Sequence, residues 1–127
     1  MIYLYLALGG VLGTLARHAL GGWVHSLAGT TMPWGTLAVN LLGSLLFGFL
    51  MRFAEAAPMA PEMRALLTVG FCGAFTTFST LSFETLALLQ TGERLRAALY
   101  AFGSLGLGLA AVVSGFVLAG ALARAGG

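Results

Sequence analysis

The stretch Gly-Phe-Cys-Gly-Ala-Phe-Thr-Thr-Phe-Ser-Thr-Leu-Ser, residues 70–82, places hydroxyl groups and glycines in the middle of a strongly apolar chain. Lipid hydrocarbon offers no hydrogen-bond partners, so polar residues and interrupted helices are costly at membrane depth. Gly73, Thr76 and Thr77 also have low helix propensity. The stretch therefore predicts a membrane helix that is broken near its middle, and it points to a functional site there.

The composition is that of a membrane protein. Of the 127 residues, 59% are hydrophobic and only 8% are charged, whereas a soluble domain carries about 25% charged residues. The charged residues are arginine and glutamate alone, since Asp and Lys do not occur. No basic run with interleaved aromatic residues indicates nucleic-acid binding. We expect a multi-pass protein of the inner (plasma) membrane.

Four apolar segments approach or exceed the roughly 20 residues that a transmembrane helix needs. They cover residues 3–27, 34–53, 63–90 and 95–122, joined by short linkers. The sequence thus predicts an all-α membrane protein with four transmembrane helices per subunit, in one domain over residues 1–127. Both termini should lie on the same side of the membrane. The third helix should be broken at mid-membrane, around residues 73–77.

The arginines are divided evenly between the two membrane sides. Three belong to the side of the termini and three to the other side, one of these deeper in a span: Arg52, Arg64 and Arg124 against Arg94, Arg96 and the deeper Arg17. Because an excess of basic residues sets orientation, this count sets none. It favours an antiparallel, dual-topology dimer; the alternative is that one arginine near a membrane end fixes a single orientation. Small-residue spacings such as Gly9-x-x-x-Gly13 support self-association.

Neutral polar residues form stripes on three of the predicted helices. The second span carries Thr36, Asn40 and Ser44, the fourth carries Tyr100, Ser104 and Gly108, and the third carries Phe78, Ser79 and Thr80 after the predicted break. One such stripe can simply serve hydrogen bonding between helices, but three together predict a permeation path. Most of these groups are donors, and phenylalanine edges carry the positive end of the ring quadrupole. The path therefore suits an anion, with Arg17 raising the potential at an entrance.

Three segments resemble, in order, the small fluoride channels called Fluc or CrcB. They are Gly9-Gly10-x-x-Gly13-x-x-x-Arg17, then Pro33-x-Gly35-Thr36-Leu-x-Val-Asn40-Leu-Leu-Gly43-Ser44, then Gly70-Phe-Cys-Gly73-x-Phe-Thr-Thr-Phe78-Ser79-Thr80-x-Ser82-x-Glu84. The resemblance covers essentially the whole chain. It implies a fluoride-selective channel, not an enzyme, that exports cytoplasmic fluoride passively. It also implies an antiparallel homodimer with two pores.

The resemblance also implies site residues by motif position. It places Arg17, Asn40, Phe78, Ser79, Thr80 and Tyr100 along the fluoride pore, and the polar stripes add Thr36 and Ser104. It implies a structural sodium ion at the dimer centre, bound by the backbone carbonyls of Gly73 and Thr76 from each subunit. Two positions depart from the family pattern: Leu81 replaces a second phenylalanine, and Gly108 stands where a serine is frequent.

Two other functions fit some of these features. A small multidrug-type proton-coupled exporter also has four spans and is often antiparallel, but its mechanism needs an acidic residue in the first span. Residues 1–27 contain no Asp or Glu. The second alternative is a membrane scaffold that transports nothing, in which the polar stripes only pack helices. Fluoride efflux from liposomes distinguishes all three functions.

Overall fold

The helices account for nearly all of the residues that the computed structural model describes, which are residues 1–126. In chain order they are α1 (Ile2–Ala28), α2 (Trp34–Ala56), α3 (Pro61–Arg64), a π-helical stretch (Ala65–Cys72), α4 (Gly73–Phe75), α5 (Phe78–Gln90) and α6 (Arg94–Gly126). The segments from α3 to α4 follow one another without a gap. The described residues contain no strand.

The short linkers that follow α1, α2 and α5 reverse the direction of the chain. Gly29 and Gly92 lie in two of these linkers with φ of 85° and 80°, a left-handed conformation that glycine adopts without steric cost. Pro61 begins α3, where the missing N–H of proline breaks no helical hydrogen bond. The chain consequently runs back and forth between two ends. We call the end that contains Met1 and Arg64 the terminal end, and the end that contains Gly29 and Gly92 the opposite end.

Within residues 1–126, three helical segments are long and apolar enough to cross a membrane. They are Trp34–Ala56, Pro61–Gln90 and Arg94–Gly126. The sequence predicts four spans, and α1 is not among the three that meet these criteria. Its 27 residues nevertheless extend about 40 Å at 1.5 Å per residue.

The most extensive interface joins α2 and α6, which run parallel. Their backbones meet directly at two glycines: a Cβ on Gly48 would overlap the Val112 carbonyl oxygen, and a Cβ on Gly115 would overlap the Leu45 carbonyl oxygen. Such close packing of small residues holds helices together where lipid removes the hydrophobic driving force. Both contacts lie in the half of the interface nearer the terminal end.

Helix α1 packs against the π-helical stretch in the same way. A Cβ on Gly9 would overlap the Leu66 carbonyl oxygen, and one on Gly13 would overlap the Phe71 carbonyl oxygen. The Gly9-x-x-x-Gly13 spacing, which in the sequence supports self-association, thus packs two helices within one chain.

Two extended residues separate α4 from α5. Thr76 has φ −87° and ψ 158°, and Thr77 has φ −148° and ψ 117°. The helical hydrogen-bond pattern therefore stops after Phe75 and resumes at Phe78. This short extended stretch, Thr76 and Thr77, is called the interruption below, and it positions the candidate site.

Candidate functional site

Asn40 binds the backbone of the interruption with both ends of its side-chain amide. Its Oδ1 accepts a hydrogen bond from the Thr77 N–H at 2.8 Å, and its Nδ2 donates to the Thr77 carbonyl at 3.2 Å. Helix α2 approaches the interruption closely because residue 43 is a glycine, where a Cβ would overlap the Thr76 methyl group. The extended backbone of Thr77 thereby has partners for both of its polar groups.

The Thr77 side chain begins α5. Its Oγ1 accepts from the Thr80 N–H at 3.3 Å and donates to the Thr80 hydroxyl at 3.0 Å. This is an N-cap, in which a threonine oxygen satisfies an N–H group that has no partner within the first turn. Ser79 lies 3.5 Å from Thr77, hydroxyl to hydroxyl, and its side chain is exposed in the single chain.

The interruption leaves several carbonyl groups without their helical donors, among them those of Gly73 and Thr76. In a continuous helix the Gly73 carbonyl would accept from Thr77, and the Thr76 carbonyl from Thr80. Here the Thr77 N–H donates to Asn40, and the Thr80 N–H donates to the Thr77 hydroxyl. Two backbone oxygens close together in sequence are thus available to another partner.

Arg17 lies at the interruption as well. Its Nε donates to the Ala74 carbonyl at 3.0 Å, so a carbonyl next to Gly73 is occupied by a side chain from α1. The sequence places Arg17 at the entrance of an anion path. In the structure its guanidinium contacts the backbone of α4, and the position at an entrance stays a prediction.

A cleft of about 730 Å³ opens between α2, α5 and α6 beside the interruption. Its polar lining comes from all three helices and from the interruption itself: Asn40, Ser44, Thr76, Thr77, Ser82, Thr85 and Ser104. Phe78 and Leu81 line it too. Among the described residues, those that line the cleft include no ionisable side chain. The cleft is therefore neutral, with hydroxyl and amide groups on otherwise apolar walls.

Ser104 is the buried hydroxyl of this region. The residue is 8% exposed, and within residues 1–126 its Oγ has no hydrogen-bond partner. A buried polar atom without a partner is uncommon and calls for an explanation, such as a bound ion or water. Ser104 lines both the cleft and a neighbouring cavity of about 580 Å³ that also contacts Tyr100 and Arg96.

Tyr100 forms the polar contact between α6 and α5. Its hydroxyl donates to Glu84 Oε1 at 2.8 Å, and the tyrosine is only 2% exposed. Because Glu84 is the only acidic residue within a predicted span, this hydrogen bond gives its carboxylate a partner inside the helix bundle.

The structure brings together some of the predicted pore residues and separates others. Asn40, Phe78 and Ser104 line the same cleft, whereas the others lie outside it: Arg17, Thr36, Ser79, Thr80 and Tyr100. Thr77 and Thr85 line the cleft, although the sequence does not single them out as site residues. Thr77 was detectable as an N-cap residue type before an apolar helix, and Thr85 by its helical spacing of three from Ser82.

A smaller cavity of about 280 Å³ lies beside Gly73 and Thr76. Its lining includes Gly73, Thr76, Thr68 and Cys72. Gly73 is exposed in the single chain. The residues that the resemblance assigned to a cation thus lie at a surface that a second chain can reach.

Comparison with known proteins gives a consistent result. The family described as CrcB-like protein, Camphor Resistance (CrcB), matches residues 4–116. A fluoride-specific ion channel FluC from a strain of Thermus thermophilus is 54% identical over 94% of both chains. Proteins of the same name from Geobacter sulfurreducens and Acidobacterium capsulatum are 45% and 44% identical over 91% and 93% of this chain, and over 94% and 95% of their own lengths.

These matches extend over nearly the whole chain. The long apolar helices of the chain are those of a multi-pass membrane protein. The matches show that the chain belongs to the CrcB family.

Proposed function

We propose that this protein is a fluoride-selective ion channel that exports cytoplasmic fluoride passively. One observation carries the proposal: the neutral cleft lined by Asn40, Phe78 and Ser104 occurs in a chain that is 54% identical to a fluoride-specific ion channel. The membrane potential, negative inside, assists the exit of an anion by about 2.3 kcal/mol per 100 mV.

The cleft offers what a small anion needs when it loses its hydration shell. An amide nitrogen carries two N–H groups, and Asn40 uses one of them on Thr77, so the second can face the cleft. The Ser104 hydroxyl has no partner among the described residues, and the edge of Phe78 presents positive partial charge. The exporter alternative is not favoured, because its mechanism requires an acidic residue in residues 1–27, and none is present.

We further propose that α1 also spans the membrane and that two copies associate antiparallel to form two pores. In the single chain, Phe78 is 81% exposed and Val69 is 64% exposed, and both are close in sequence to the interruption. A second copy placed there would cover them. The interruption divides residues 61–90 into two nearly equal parts, which supports a position at mid-membrane.

A structural sodium ion at the dimer centre also belongs to this proposal. The Gly73 and Thr76 carbonyls have lost their helical donors, and two copies would supply four such oxygens. Hard neutral oxygens suit a hard cation, so the donor set fits the ion. When bound, the ion would join the two chains electrostatically; the chain's own contribution is to keep these oxygens free.

The test is fluoride efflux from liposomes that contain the purified protein, driven by a potassium gradient with valinomycin and followed with a fluoride electrode. We expect rapid fluoride efflux and little chloride efflux. Protein-free liposomes serve as the control. Equal rates for chloride, or no efflux above the control, would show that the protein is not a fluoride channel.

A further inference from the structure

Three hydrogen bonds divert the backbone pairing at the interruption. A continuous helix would join the carbonyls of residues 73, 74 and 76 to the N–H groups four positions later. The Thr77 N–H, which would donate to the carbonyl of residue 73, donates to Asn40. The Thr80 N–H, which would donate to the carbonyl of residue 76, donates to the Thr77 hydroxyl. Arg17 occupies the carbonyl of residue 74. The carbonyl oxygens of Gly73 and Thr76 thus lose their helical donors, and that of Ala74 is occupied by Arg17.

We propose that Asn40 and Arg17 are positioning residues that select which carbonyl groups at the interruption are available to a cation. The inference rests on the cation site within the proposed function. Asn40 keeps the Gly73 carbonyl free by holding the Thr77 N–H. Arg17 keeps the Ala74 carbonyl, next to that of Gly73, occupied and so unavailable to a cation.

Asn40 is suited to this task by its length and by its two kinds of polar group. It binds the N–H of Thr77 at 2.8 Å and the carbonyl of Thr77 at 3.2 Å. An aspartate could accept from the N–H but could not donate to the carbonyl. Gly43, one helical turn later, lets α2 approach the interruption closely enough for this contact.

Arg17 is suited by its charge and its reach. Its partner lies 57 residues away in the sequence, at 3.0 Å, and a charged donor makes a stronger hydrogen bond than a neutral one. Arg17 does not line the cleft. Its substitution therefore alters the interruption without removing a group from the lining of the cleft.

Asn40 also lines the cleft. One side chain thus contacts both the anion path and the backbone that presents the cation ligands. A movement of Thr77 would therefore also move a residue that lines the cleft.

The test measures how sodium stabilises the purified protein in detergent. Thermal unfolding is followed while sodium chloride replaces N-methylglucamine chloride at constant ionic strength. Asn40→Leu and Arg17→Gln should raise the sodium concentration at half-maximal stabilisation about tenfold, since each loses hydrogen bonding that orders the ligands and neither adds a negative charge that would itself attract sodium. Arg17→Lys, which still donates, should recover part of the loss. Ser82→Ala, which removes a hydroxyl from the cleft but does not line the cavity beside Gly73 and Thr76, should leave the midpoint unchanged.

Each outcome bears on the proposal. Unchanged sodium midpoints in folded N40L and R17Q would overturn it, and so would an equal shift in S82A. If N40L fails to fold, the comparison of R17Q with R17K decides. If sodium does not stabilise the unsubstituted protein at all, the cation site and this inference both fail, while fluoride efflux from liposomes still judges the channel function separately.

Discussion

The Asn40 side chain contacts two features of the site, the Thr77 backbone and the cleft. Its amide binds both backbone groups of Thr77, and the residue also lines the cleft. A polar residue at membrane depth is costly unless its hydrogen bonds are satisfied. The Thr77 backbone satisfies Asn40 and is satisfied by it, which explains how an extended stretch persists among helices.

Ser104 gives a prediction at the same scale. Its buried hydroxyl has no partner within residues 1–126, and leaving such a group unsatisfied costs about 1–3 kcal/mol. Ser104→Ala should therefore keep or increase the thermal stability of the protein and yet slow fluoride efflux, because the cleft loses a donor. Ser114→Ala is the matched control, since Ser114 lies on the same helix, is exposed and does not line the cleft. Loss of stability without loss of efflux would assign Ser104 to packing alone.

At the scale of helices, glycine contacts set the geometry of the site. Close backbone approach at Gly48 and Gly115 holds α2 against α6, and the cleft opens beside this interface. The contacts of Gly9 and Gly13 hold α1 along the π-helical stretch, which places Arg17 next to Ala74. These contacts set the rotation of each helix and its depth in the bundle. Rotation and depth in turn determine which side chains meet.

Gly115→Ala tests this interface. The added Cβ would overlap the Leu45 carbonyl oxygen, and a backbone atom cannot rotate away as a side chain can. We expect a loss of roughly 1–3 kcal/mol in the free energy of unfolding, measured by thermal or denaturant unfolding in micelles. Gly106→Ala on the same helix meets no atom within 4 Å and should be neutral or slightly stabilising, because alanine favours helices. Equal effects of the two substitutions would exclude a role of the close contact.

At the scale of the whole molecule, five of the six arginines lie near the two ends. Arg52 and Arg124 lie together over Gly120, and Arg64 contacts Met51 nearby. Arg94 and Arg96 begin α6 at the opposite end. Arg17 lies at the interruption, so the two ends carry three and two arginines, a small difference. Such a weak bias is compatible with insertion in both directions.

Surface labelling tests the proposed dual topology. In a Cys72→Ala background, Glu62→Cys lies at the terminal end and Glu93→Cys at the opposite end. A membrane-impermeant maleimide applied to intact cells should label about half of the chains at either position if both orientations are equally populated. Permeabilised cells, in which every chain should react, provide the control. Complete labelling at one position and protection at the other would demonstrate a single orientation.

Local properties of the sequence determined the helical membrane character of this protein, the approximate ends of its helices and the low helix propensity of residues 73–77, because composition and propensity are readable residue by residue. The tertiary structure alone decided that Asn40 binds Thr77, that Arg17 binds Ala74 and that the Ser104 hydroxyl is buried without a partner among residues 1–126. The two pairs of partners lie 37 and 57 residues apart. Their meeting depends on how each helix is rotated and how deep it lies, which close glycine packing between helices sets.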